Sequence, residues 1–389
     1  MSLIPYGRQD INQADIDAVV DVLRSNFLTQ GPVVPAFERA IGDYCGAHHA
    51  VAVNSATSAL HIACMALGVG RGDVVWTSPI TFVASANCAL YCGAKVDFVD
   101  IDPRTYNLSV ERLSEKLALA EKTGKLPKVV IPVHLCGQPC DMAGIYSLSQ
   151  QYGFKIIEDA SHAIGGMYMG ERIGSGRYSD ITVFSFHPVK IITSGEGGVV
   201  VTNDPALAKS MRLFRSHGIS SSEEDMLARP ECEIWNYQQI ELGFNYRMTD
   251  LQAALGLSQM QRVDLFVKKR HEIAKRYDLL LAGLPLVIPW QHSDSYSGLH
   301  LYVIRLKLAE INKNKRQIYN ALYSADIGVN VHYIPVYRQP FYEKMGFELS
   351  NYPEAESYYA EAITLPMYPR LTSEQQDFVV QTLRRALAV

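Results

Sequence analysis

Apolar positions recur at helical spacing near the start of the chain. Ile16, Val19, Val20 and Leu23 fall on one face behind Asn12, whose side chain can cap the helix, with Asp15 in its first turn. A second helix is predicted over 35–44 from Phe37, Ala40, Ile41 and Tyr44, with Gly46 as its stop. Beyond it, short apolar runs alternate with helical spacing. Strands are predicted at 50–53, 74–77, 96–99, 129–133 and 155–158, with helices at 57–67, 81–91, 108–121 and 142–152 between them. Apolar runs without polar alternation mark strands covered on both faces. The order is that of a mostly parallel α/β sheet with right-handed crossovers.

After Asp159 the rhythm changes. Strands at 181–186 and 199–202 are separated by a Gly-rich loop too short for a helix, which predicts an antiparallel addition to the same sheet. One long helix is expected over 249–281, then a loop at 285–298. The remainder reads as a strand at 301–306, a helix at 314–324, a strand at 328–332, a loop, and a last helix from 373. This predicts a large α/β domain over 1–254 and a smaller α+β domain over 255–389.

Composition narrows the class. The 36 Lys+Arg stand against 40 Asp+Glu, a net charge of −4, which leaves no electrostatic footprint for nucleic acid. The stretches 44–70 and 74–94 carry no charge and are long enough to span a bilayer. The first holds His48, His49, Asn54 and His61, the second Pro79 and Asn87 among several hydroxyls, so both read as buried soluble segments. The seven cysteines are an odd number in a long chain, which fits reduced thiols and a cytoplasmic location. Cys88/Cys92 and Cys136/Cys140, spaced by four, with His134 nearby, read as buried thiols and a loop histidine, and no metal is assigned.

Three segments can carry chemistry. Asp159, in Glu158-Asp159-Ala160-Ser161-His162, closes an apolar strand at the sheet edge where ligands gather. Standing alone it would be a helix-capping aspartate. Lys190 follows an apolar strand in Ser185-Phe186-His187-Pro188-Val189-Lys190, ahead of Ser194-Gly195-Glu196-Gly197-Gly198. A buried amine of depressed pKa suits carbonyl chemistry; a surface lysine beside a glycine hairpin fits the pattern equally. Asn54-Ser55-Ala56-Thr57-Ser58 turns from strand into helix, as an anion site or an ordinary cap. No full dinucleotide fingerprint, Walker loop or nucleophile elbow is present.

With 79–84 and 243–248, these segments in this order resemble the DegT/DnrJ/EryC1/StrS family of pyridoxal-phosphate-dependent sugar aminotransferases over essentially the whole chain. The resemblance implies a fold-type I aminotransferase and a role for each matching residue. Lys190 would bond covalently to the cofactor aldehyde and shuttle a proton between substrate and cofactor carbons. Asp159 would pair with the pyridine nitrogen, His162 with the ring's phenolic oxygen, and Phe82 would stack on the ring. The amides of Thr57 and Ser58 and the Ser185 hydroxyl would hold the phosphate. Asn245 would reach the phosphate of the neighbouring subunit, giving a homodimer with shared sites. Arg247, His332 and Tyr333 are candidate sugar-nucleotide contacts, Arg247 equally a structural ion pair.

A narrower resemblance rests on 4–9, 27–32, 76–79 and 332–336. It is to the branch that moves an amino group from L-glutamate to C4 of a UDP-linked 4-keto-6-deoxy sugar in pseudaminic acid biosynthesis. A transaminase for another nucleotide sugar, or a non-catalytic sensor that keeps the cofactor pocket, are the alternatives. Sugar dehydratases of the family carry His where Lys190 stands.

Overall fold

The computed structural model describes residues 3–228, 233 and 235–387. Its centre is a seven-stranded sheet of β1 (His49–Val53), β2 (Val74–Thr77), β3 (Lys95–Phe98), β4 (Val129–Ile131), β5 (Lys155–Asp159), β6 (Ile181–Ser185) and β7 (Gly198–Thr202). The spatial order is β1-β7-β6-β5-β4-β2-β3. Neighbours from β6 through β3 pair parallel, and β7 runs antiparallel between β1 and β6. Every residue of β6 and β7 is buried, as their unbroken apolar runs require for strands covered on both faces. The antiparallel strand expected after Asp159 is therefore present, in the interior of the sheet.

Local chemistry sets the helix ends. Asn12 and Asp15 form a reciprocal capping box at Gln13–Arg24. The expected apolar face of that helix is incorrect: Ile16 and Leu23 are exposed, while Asp15 and Val22 are buried. Asp15 is drawn inward because it accepts hydrogen bonds from Ser258 and Gln259 and pairs with Arg262. The same Arg262, which also pairs with Asp10, sits where the expected helix 249–281 breaks into Asp250–Met260 and Val263–Leu281. No Gly or Pro marks this break.

Helix Pro205–Arg215, capped by Asp204 with Pro205 in its first turn, was not anticipated. The C-terminal part is built on β8 (Tyr302–Leu306) and β9 (Ala362–Leu365), paired antiparallel. The expected strand at 328–332 is not a strand. Gly328 donates to Ile4, and only Asn330 bridges to Thr364 of β9, so the segment's backbone is shared between two neighbours. Helix Val263–Leu281 joins the two parts: Phe266 and Val267 pack in the large core, and Ile273, Tyr277 and Leu281 in the small one. Among the described residues, no helix is long and apolar enough to cross a membrane.

Candidate active site

A cavity of about 1070 Å³ opens at the carboxyl ends of the parallel strands. Thr57, Ser58, Phe82, Asp159, His162, Ser185, Lys190, His332 and Tyr333 all line it. Asn245 and Arg247 do not. Asn245 is exposed and bridges to Ser216, and Arg247 bridges by its backbone to Val53.

At one end lies the start of helix Ala56–Ala66. Ser55 caps it by accepting from the Ser58 amide at 3.1 Å, and the Ser58 hydroxyl donates to Asn54 at 2.7 Å. Ser58 is thus already engaged, and the amides of Ala56 and Thr57 have no partner among the described residues. These two N–H groups, at the positive end of the helix, form an anion cradle beside Ser185. Gly198 closes its back wall. A Cβ there would meet the Ala56 nitrogen at 2.6 Å, so any side chain would push into the cradle.

Asp159 ends β5 with 5% of its surface exposed. Its Oδ2 accepts from the Ser85 hydroxyl at 2.6 Å and its Oδ1 from the Ser161 amide at 3.1 Å. Thr81 lies 2.8 Å from Ser85 and donates to it, completing a relay that fixes the carboxylate. Lys190 follows the short turn after β6, and its amine has no hydrogen-bond partner among the described residues. Burial pushes this amine down to about 8, against the opposing pull of the Asp159 carboxylate.

His162 Nδ1 accepts the Cys136 amide at 3.2 Å, which places the ring proton on Nε2, facing Tyr333 Oη at 3.1 Å. Burial, then the Lys190 charge, hold His162 well below the ordinary histidine range, so it is a neutral donor. His332, pushed down to about 3 by burial and Lys190, is likewise neutral and lies 2.8 Å from Thr364 through Nδ1. Phe82 projects at the mouth, its ring 6.2 Å from that of Tyr333.

Residues 9–384 match the DegT/DnrJ/EryC1/StrS aminotransferase family. The chain belongs to that family. It is 38% identical over 98% of its length to the spore coat polysaccharide biosynthesis protein SpsC of Bacillus subtilis, covering 96% of that protein. It is 37% identical, with the same coverage, to the UDP-4-amino-4,6-dideoxy-N-acetyl-β-L-altrosamine transaminase of Campylobacter jejuni. The structure superimposes on Helicobacter pylori PseC, an aminotransferase of pseudaminic acid biosynthesis, with a TM-score of 0.89, 30% identity and 99% of both chains covered. The sugar aminotransferase Spr1654 of Streptococcus pneumoniae, 30% identical in both forms, matches in its PLP form (TM-score 0.87, 99% and 98% covered) and its PMP form (0.89, 98% of each).

The chain is therefore a PLP-dependent aminotransferase. Its cavity fits the cofactor: two free amides and a hydroxyl suit the phosphate, a fixed carboxylate suits a ring cation, and an unpartnered amine suits the aldehyde. Sequence reasoning missed Tyr6, Gln252, His300 and Asn330 as wall residues. Only His300 carried a local signal, as a histidine directly ahead of an apolar strand.

Proposed function

We propose that the chain transfers an amino group from L-glutamate to the C4 ketone of UDP-2-acetamido-2,6-dideoxy-β-L-arabino-hex-4-ulose. The product is UDP-4-amino-4,6-dideoxy-N-acetyl-β-L-altrosamine, in pseudaminic acid biosynthesis. The observation that carries this reading is the outer wall of the cavity. Tyr6, Asn330, His332, Tyr333 and Gln339 offer neutral hydrogen-bonding groups and no arginine, a surface suited to sugar hydroxyls and an acetamido group. The near full-length likeness to the Campylobacter enzyme supports the same acceptor.

Bound PLP supplies an electron sink for the carbon that loses its proton. Lys190 Nζ holds and returns that proton. Asp159 keeps the pyridine nitrogen protonated, and the His162 Nε2–H donates to the phenolic oxygen. Ala56, Thr57 and Ser185 would hold the phosphate, and Phe82 would stack against the ring. His332 and Tyr333 serve the nucleotide sugar, and Arg247, outside the cavity of its own chain, would meet it only in the site of a second copy.

The equal likeness to SpsC favours a second reading, a different nucleotide-sugar acceptor. Holoenzyme converted to its amine form by glutamate separates the two. The UDP-linked L-configured keto sugar restores the starting spectrum at least about tenfold faster than a dTDP-linked D-configured one. Equal rates, or a preference for the latter, would reject the proposed acceptor.

The exposed Asn245 belongs, in this proposal, to the site of a second copy in a homodimer. Lys190→Ala chains mixed with Asn245→Ala chains, each inactive alone, regain part of the activity, because one hybrid site has both residues intact. Absence of any rescue under subunit exchange would remove the shared site.

A further inference from the structure

Two loops meet at His162, one following β4 and one leading into β8. The Gly298 amide donates to the Gly137 carbonyl at 3.0 Å, and the Leu301 amide to the Cys136 carbonyl at 3.3 Å. Gly137, at φ +101°, permits this approach. A Cβ there would meet the Leu299 nitrogen at 2.7 Å, the His162 carbonyl oxygen at 2.8 Å and the His300 nitrogen at 3.0 Å. From the first loop, the Cys136 amide donates to His162 Nδ1. From the second, the His300 ring stands 4.5 Å from the His162 ring, centroid to centroid.

His300 is itself held in place. Leu299 takes a positive φ of 47°, uncommon for leucine, and two successive carbonyls of this turn meet one guanidinium. Arg270, on the helix Val263–Leu281 that joins the two parts of the chain, donates through Nη1 to Leu299 at 3.3 Å and His300 at 3.0 Å. The same nitrogen donates to Met367, just past β9, at 3.1 Å. Arg270 and His300 are both buried. The nitrogens of His162 already face Cys136 and Tyr333, and His300 Nδ1 has no partner among the described residues. His300 therefore acts on His162 by packing.

We infer that His300 is a positioning residue, whose ring holds that of His162 at the angle from which its Nε2–H meets the phenolic oxygen of the bound cofactor. The inference rests on the role given to His162 in the proposed function. Besides Lys190 and Arg270, the titratable groups around the pair are His332, Tyr333 and Cys136. Burial, the first cause in each case, holds His162, His300 and His332 well below the ordinary histidine range. It also lifts Tyr333 and the Cys136 thiol, so all five stay neutral near pH 7.

A donor on the phenolic oxygen favours its anionic form, so the pH midpoint of the holoenzyme's visible absorption band reports the hydrogen bond from His162. His300→Ala raises that midpoint by at least about half a unit, a threefold change in the proton equilibrium. His162→Ala raises it as much or more, and His300→Ala added to His162→Ala raises it no further, because His300 acts through His162. His300→Phe, which keeps a flat ring, stays within about 0.2 unit of wild type. His300→Leu fills the space without such a ring and shifts the midpoint as alanine does, so it serves where alanine does not fold. A general loosening of the chain would shift the midpoint equally with and without His162. That result, or an unmoved midpoint in the His300 variants while His162→Ala moves it, overturns the inference alone. An unmoved midpoint in His162→Ala would overturn the role of His162 in the proposed function, and that of His300 with it.

Discussion

Lys190→Ala loses transamination by at least about 10⁴-fold while its apoprotein melts no lower than wild type at neutral pH. The loss follows from position. Among the cavity-lining residues Lys190 alone is a lysine, and its amine has no hydrogen-bond partner among the described residues, so no second amine stands by for the proton transfer proposed for it. The retained stability follows from charge. Burial has lowered the folded-state amine to about 8 from 10.5, so between these values the unfolded chain binds more protons than the folded one. The ammonium therefore opposes folding fully below about pH 8, and the penalty fades as pH rises toward 10.5. Alanine removes the penalty where it is greatest. The same lowered value sets the rate at which apoprotein captures PLP: it levels off just above pH 8, whereas an ordinary lysine would still be gaining about tenfold per unit there. Turnover near the wild-type rate, or a melting point well below it, would remove the lysine from this role.

Asp159→Asn cuts the single-turnover rate with glutamate by about 10²–10³-fold, roughly 3–4 kcal/mol of barrier, while the chain still folds and binds PLP. Ser85 and Ser161 both donate to this carboxylate, and the strand end that carries it is fixed by the Asp159 amide on Pro132 and its carbonyl under His134. Asparagine is nearly isosteric, so the cavity keeps its shape, but its neutral amide cannot hold a proton on the pyridine nitrogen. The cost falls on the chemical step, and PLP affinity drops less. A rate within about threefold of wild type would show that the carboxylate's charge plays no part.

The alternation of apolar runs and helices made the sheet legible, because strands buried on both faces have a pattern that local reading detects. The segments around Asp159, Ser185 and Lys190 were legible for a related reason: each lies on or just beyond a strand of that sheet, and the carboxyl ends of parallel strands converge. What was not legible depended on contacts between distant parts of the chain. The break at Arg262 is imposed by Asp10 and Asp15, some 250 residues earlier, and no local residue announces it. The segment 328–332 has strand composition but gives its hydrogen bonds to Ile4 and Thr364. Within the site, the capping hydroxyl of Ser55 decides which amides stay free: it occupies that of Ser58 and leaves Ala56 and Thr57, a distinction that spacing does not contain. Tyr6 and Gln252 also line the cavity but lie in sequence far from the three segments that carry its chemistry.

The claim on which the rest depends is that Lys190, in this cavity, is the amine that holds the cofactor. Borohydride reduction of the holoenzyme, tryptic digestion and mass spectrometry locate the bond directly. The pyridoxyl phosphate mass is found on the peptide containing Lys190 and on no other. Stoichiometric label on a different lysine, with Lys190 unmodified, would contradict the site.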